Sequence, residues 1–168
     1  MMLRKKPLLI FFIIVIIIVI VITGIYMYIV YLMKGFTPSA GVWQYVDDDL
    51  EITVFVPEGG GISTPAGFSK CKAEIMLGGE KQKAILAYHV KMYQFNMVLV
   101  GDYSDIMKLN IEYGSGNIII SSTYLTPMKK GEWEFKDIRI SEPYIELLRD
   151  YDGKNLILKR IGDYKEPE

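Results

Sequence analysis

The sequence predicts an all-β domain, an antiparallel up-and-down barrel of about 8–10 strands, preceded by one N-terminal transmembrane helix. Three observations carry this. Leu8–Met33 runs for 26 residues without a charge. From Val42 onward the apolar residues recur at every second position, the period of a half-buried strand and not of a helix. The strands so marked are joined mostly by short turns, which makes consecutive strands antiparallel neighbours. A meander of this kind closes into a barrel or folds into a sandwich. With no long Greek-key crossing, the up-and-down barrel is favoured, and closure also removes exposed strand edges.

The N-terminal segment comes first. Arg4, Lys5 and Lys6 precede the apolar run, and only Thr23 and Gly24 interrupt it mildly. A bilayer core needs roughly 20 apolar helical residues, so the run is long enough to span with some tilt. It exceeds the roughly 7–15 residues of a cleavable signal sequence. Tyr26, Met27, Tyr28 and Tyr31 also stand where a cleavage site needs small residues. The reading is therefore an uncleaved signal anchor, a single-pass segment in the cell membrane, with the tyrosines as an interfacial belt. Three positive charges before the span against Lys34 after it place the N-terminus in the cytoplasm and the C-terminal domain outside the cell. Residues 1–7 are then a short cytoplasmic N-terminus and 8–33 the transmembrane helix. Residues 34–41 are a linker in which Gly35 and Pro38 end the helix, and 42–168 are the extracytoplasmic β domain.

Composition bounds the function. The chain has 168 residues, one domain of ordinary size. Residues 1–34 hold four of the 19 basic residues and none of the 20 acidic ones, so residues 35–168 carry a net charge of −5. An acidic domain of this kind excludes a basic nucleic-acid binder. A single cysteine, Cys71, excludes a disulfide scaffold, and a single histidine, His89, excludes a His/Cys zinc cluster within one chain.

Within the domain, Leu50, Ile52, Val54 and Val56 share a face, as do Ala73, Ile75 and Leu77 before the Gly78-Gly79 hairpin signal. Ala84, Leu86, Tyr88 and Val90 follow, then Tyr93, Phe95, Met97 and Leu99, then Met107, Leu109, Ile111 and Tyr113. Asn117–Tyr124 reads as a strand in which Ile118-Ile119-Ile120 is apolar on both faces, so one isoleucine points outward. Trp133 and Phe135 have the opposite parity to Ile138 and Ile140, which predicts a β-bulge near Lys136-Asp137. Tyr144–Arg149 and Asn155–Ile161 flank an Asp152-Gly153 turn of hairpin type. Pro57–Ser69, with Gly59-Gly60-Gly61, is the one long irregular connection, either a functional lid or a mobile loop.

Gly41-Val42-Trp43 opens the first strand and Arg160 lies in the last. On these residues the chain resembles the lipocalin (calycin) group, in particular membrane-anchored bacterial proteins of unassigned function. The resemblance implies a Gly-x-Trp motif of Gly41 and Trp43 with a basic residue of the last strand, Arg160 or Lys159, packed over the tryptophan. It also implies a long loop between the first two strands, with Pro57–Ser69 in that place. No helix is expected beside the barrel, a departure from the group.

The candidate sites follow. Asp47-Asp48-Asp49 lacks the spacing of a calcium loop and reads as a solvated tip. His89 reads as an exposed strand histidine. Gly59-Gly60-Gly61 and Gly114-Ser115-Gly116 precede no helix, so neither reads as a phosphate loop. No nucleophile motif, metal site or cofactor site stands out, and the domain is expected to be no enzyme. The aromatics are the better lead: Tyr88, Tyr93, Phe95, Tyr113 and Trp133 are the candidate ligand-binding residues, set either to line an apolar barrel interior with polar handles or simply to fill the core. The expected function is a membrane-tethered extracytoplasmic lipocalin-like domain. Its partners are the lipid bilayer through Leu8–Met33 and an apolar small molecule or a protein. The alternative is a structural, minor-pilin-like subunit or a non-catalytic subunit of a surface complex.

Overall fold

The structure, a computed structural model, describes residues 5–34, 37–63, 67–89, 94–107, 118–122, 124–125, 131–142 and 144–167. The chain forms two compact units, Met1–Gly35 and Phe36–Glu168. The first holds one helix, α1 (Lys5–Lys34). Its stretch Ile10–Val30 is long and apolar enough to cross a membrane, and none of it is buried.

The second unit is almost wholly antiparallel β. Its strands are β1 (Gly41–Val46), β2 (Leu50–Val56), β3 (Ile62–Ser63), β4 (Ser69–Leu77), β5 (Glu80–His89) and β6 (Gln94–Leu99). After them come β7 (Ile118–Ser122), β8 (Tyr124–Leu125), β9 (Glu132–Lys136), β10 (Arg139–Ile140) and β11 (Leu156–Gly162). They make one sheet in the order β10-β7-β6-β5-β4-β2-β1-β11-β9-β8, with β3 paired to β4. The sheet curls into a half-barrel around one apolar cluster. Alternation does this work: in β2, Leu50, Ile52, Val54 and Val56 are buried while Glu51, Thr53 and Phe55 are half-exposed. Cys71, Ala73, Ile75 and Leu77 of β4 and Leu156 and Leu158 of β11 do the same.

The two ends of the sheet draw on the same two stretches of chain. One residue separates β7 from β8, and two separate β9 from β10. The pairs Ile120↔Ile140 and Ser121↔Arg139 keep the same register as Tyr124↔Lys136 and Leu125↔Phe135. Between them Asp137 takes a φ of 47°, the only non-glycine residue in the left-handed region among those described. Trp133, Phe135, Ile138 and Ile140 are all buried. The phase slip read from the sequence is thus not a bulge, since no extra residue stands between these pairs, but a backbone kink at Asp137 that keeps all four side chains inward.

Three further expectations change, and the Ile118-Ile119-Ile120 run keeps the one outward isoleucine expected of it but gains a bulge. Pro57–Ser69 joins β2 to β4, not the first two strands, which are joined by the tight Asp47–Asp49 turn. Tyr144–Arg149 is no strand but a run of helical turns: Tyr144 N donates to Ser141 O (2.8 Å), and Leu148 N to Tyr144 O (3.0 Å). Tyr144, Leu148 and Tyr151 stand at helical spacing, which puts Leu148 and Tyr151 into the core together. In the triple isoleucine, Met97 pairs with Ile120 and Val98 with Ile118, so Ile119 is an extra residue in a bulge. Ile119 and Ile120 are both buried, and Ile118 alone faces the other side. There it joins a second apolar cluster of Ile85, Ala87, Val98 and Ile106, completed by Ile62, Phe68 and Val100. That layer buries β5 and β6 on both faces, which is why their alternation fades. Finally, Met107 closes the 3-10 turn Tyr103–Met107 and does not begin a strand; the strand expected through Tyr113 otherwise lies outside the described residues.

The helical-turn assignment is testable by core truncation. Leu148→Ala is expected to destabilise the β domain by about 2–5 kcal/mol, whereas Leu147→Ala, at an exposed position, should stay within about 0.5 kcal/mol. Urea unfolding followed by tryptophan fluorescence measures both, since Trp43 and Trp133 are the chain's two tryptophans.

Candidate functional site

The Gly-x-Trp residues and Arg160 meet at one end of the sheet. Trp43 is buried, pairs across the ladder with Arg160, and its indole N–H donates to Ser39 O (3.0 Å). Arg160 Nε donates to Ala40 O (3.1 Å) and its Nη2 binds Asp163 Oδ1 (2.9 Å). The guanidinium therefore ties the linker and the C-terminal tail to the first strand. Gly41 is required there: a Cβ would lie 2.5 Å from Arg160 Nε, and its φ of 150° strains an L side chain.

Three of the five candidate ligand aromatics come together. Tyr88, Phe95 and Trp133 are all fully buried. The Trp133 ring stands edge-on to Tyr88 at 5.3 Å and to Trp43 at 6.0 Å, and packs on Phe135 at 4.8 Å. Phe135 in turn lies 4.1 Å from Phe95. Tyr93 and Tyr113 lie outside the described residues. The rings thus touch one another, as core aromatics do. One polar atom in this nest stands out: Trp133 Nε1 is buried and has no hydrogen-bond partner among the described residues.

The glycine run belongs to the same place. Tyr88 Oη donates to Gly60 O, and Cys71 Sγ approaches the same carbonyl at 3.6 Å. Gly60 N closes the turn onto Pro57 O (3.1 Å). A Cβ on Gly60 would meet Tyr88 Oη and Thr37 Cγ2 at 2.9 Å, and one on Gly61 would meet Lys70 O at 2.7 Å. Three glycines let the backbone itself enter the aromatic end of the sheet. The sequence signalled a Gly-rich connection, but not that its carbonyl is the partner of Tyr88. Burial pushes the Tyr88 hydroxyl well above the ordinary phenol range and the Cys71 thiol up to about 12.

At the opposite end the Asp47–Asp49 turn is held from within. Asp47 Oδ1 accepts from Asp48 N (2.9 Å) and Oδ2 from Tyr45 Oη (3.1 Å). These hydrogen bonds, the backbone one first, hold the Asp47 carboxyl below its usual value, while burial and Asp47 push Tyr45 up to about 12. Tyr45 stands edge-on to Tyr151 at 6.5 Å. His89 overturns its reading as an exposed residue: it is buried on the outer side of β5, edge-on to Phe68 at 4.9 Å. The chain at Gly67-Phe68 folds over it.

Two measurements follow. A neutral thiol at about pH 8 is unreactive, so Cys71 should resist iodoacetamide in the folded protein and be alkylated at once in guanidinium chloride. Asp47 should titrate below an ordinary aspartate in a carboxyl-carbon NMR series. Its contribution to the turn is present above the unfolded aspartate pKa and lost as pH falls through the lower folded value. Tyr45→Phe, which removes one donor, should move that value upward. In comparisons with known proteins, the chain matches no family model, no curated protein and no solved structure.

Proposed function

We propose that the chain is a membrane-tethered binding domain, with its N-terminus in the cytoplasm and its β domain outside. The observation that carries this is α1: every described side chain from Ile10 to Ile29 is apolar or aromatic apart from Thr23 and Gly24, and all are exposed. A stretch of that length exposes far more apolar surface than water tolerates, and a bilayer is the solvent that suits it. Arg4, Lys5 and Lys6 before the span set its direction.

The single register across β7–β10 and β8–β9 supports the finer fold reading. Taking each pair of pieces as one strand, every strand of the meander has a neighbour on both sides and the sheet closes. The ring is then an eight-stranded, lipocalin-like barrel. Binding rather than catalysis fits the buried titratable groups. Burial drives Cys71 and Tyr88 toward their neutral forms, the opposite of an activated nucleophile. The bound molecule is an apolar small molecule taken at the aromatic end. A protein partner is the second reading, favoured by Ile157 and Ile161, which lie 39% and 57% exposed along one outer face of β11.

Membrane topology tests the proposal. A tag at Glu168 should be removed by protease on intact cells while a tag at Met1 is protected. Protection of residue 168 would overturn it.

A further inference from the structure

Trp133 Nε1 poses the question. An indole N–H wholly removed from water, with no acceptor among the described residues, carries the desolvation penalty of an unmade hydrogen bond. Beside it the Tyr88 hydroxyl, on a ring 5.3 Å away, has found an acceptor, and that acceptor is the backbone carbonyl of Gly60. Cys71 Sγ points a third, weaker donor at the same oxygen (3.6 Å). Two donors, Tyr88 Oη and Cys71 Sγ, thus meet on one neutral carbonyl supplied by a turn of three glycines, and the Trp133 ring stands beside Tyr88. The walls here are the apolar rings of Trp43, Phe95 and Phe135, which belong to one hydrophobic cluster. A carboxylate or ammonium would be expensive there, and a neutral acceptor would not.

We infer that the Gly59–Gly61 turn is a built-in plug, and that the site beneath it takes a neutral, largely apolar molecule carrying one carbonyl oxygen. The ligand's carbonyl replaces that of Gly60 on Tyr88 Oη and also reaches the Trp133 N–H, which Gly60 leaves unmatched. The glycines serve twice. They let the turn fit closely, and they give it the backbone freedom to swing out. This rests on the reading of the domain as a binding module and adds the ligand's class and the device that keeps the site shut.

The test uses the full chain in phosphatidylcholine nanodiscs, with indole-¹⁵N tryptophan and two probes of similar chain length, methyl decanoate and decane. The ester should move the Trp133 indole proton downfield in a saturable way, and decane should not. Trp133→Phe, which keeps a ring and removes the donor, should weaken ester binding about fivefold. Gly60→Ala, whose Cβ would crowd Tyr88 Oη and Thr37 Cγ2, should expel the turn and tighten ester binding about tenfold. Equal responses to ester and alkane would overturn the inference, as would an unmoved indole signal or a Gly60→Ala protein that binds no better than wild type. The wild-type comparison decides the matter even where Gly60→Ala fails to fold. Loss of the ester response with residue 168 still accessible outside the cell removes the plug and leaves the tether. Protection of residue 168 with the ester response intact does the reverse.

Discussion

The β domain depends on the contacts of one ring. Trp133, on β9, touches Trp43 from β1, Tyr88 from β5 and its own neighbour Phe135. β5 is not a sheet neighbour of β1 or β9, so these contacts cross the interior and do not run along it. An antiparallel sheet with alternating faces is free to lie open or to curl. Large rings on the inner faces of opposite strands make curling favourable, because each ring buried adds on the order of 2–3 kcal/mol that a flat sheet would forfeit. The kink at Asp137 serves the same end, since without it Ile138 and Ile140 would turn outward from the strand that presents Trp133.

Glycine then sets where backbone replaces side chain. At Gly41 the guanidinium of Arg160 crosses the main chain at a distance no Cβ permits, and its bonds to Ala40 and Asp163 draw linker and tail to the first strand. At Gly60 the main chain enters the aromatic nest and gives Tyr88 its acceptor. Both sites lie at the end of the sheet where β1 begins and β2 stops. The other end is closed by side chains instead: Leu148, Tyr151 and Tyr45, with Asp47 holding the turn. The two ends therefore differ in kind. One is packed by core side chains, the other is entered by a backbone turn whose Gly60 carbonyl accepts from Tyr88.

Much of the fold was legible in the sequence where one face is wet and the other dry. Leu50–Val56 and Ala73–Leu77 alternate cleanly because their outer residues meet solvent. The parity change between Phe135 and Ile138 located the kink to within a residue. Reading failed where that condition lapses. β5 and β6 are covered on both sides, so Ile85, Ala87 and Val98 break the pattern that Leu86 and Met97 continue. His89 was read as exposed because nothing local reveals that Phe68 folds over it. Tyr144–Tyr151 is short enough that two turns of helix and a strand look alike until Leu148 and Tyr151 are seen to share a face. At the candidate site, the aromatics could be nominated from their positions on strands. Their mutual contacts, and the role of Gly60 among them, come from pairings between residues far apart in the chain.

The outer layer over β4–β6 adds the last constraint. Lys70 is buried in it, with Nζ donating to Ile106 O at 2.9 Å, and burial lowers its pKa. Tyr103 donates to Ala73 O (2.7 Å), with the ammonium groups of Lys72 and Lys83 about 5 Å from its ring. A lysine is hidden only where its charged end is met by hydrogen-bond acceptors, so this layer is held by specific polar contacts as well as by Ile85, Val98 and Ile106. Its effect is to stiffen the wall that carries Cys71, Tyr88 and Phe95. The swing inferred at the aromatic end is then left to the Gly59–Gly61 turn.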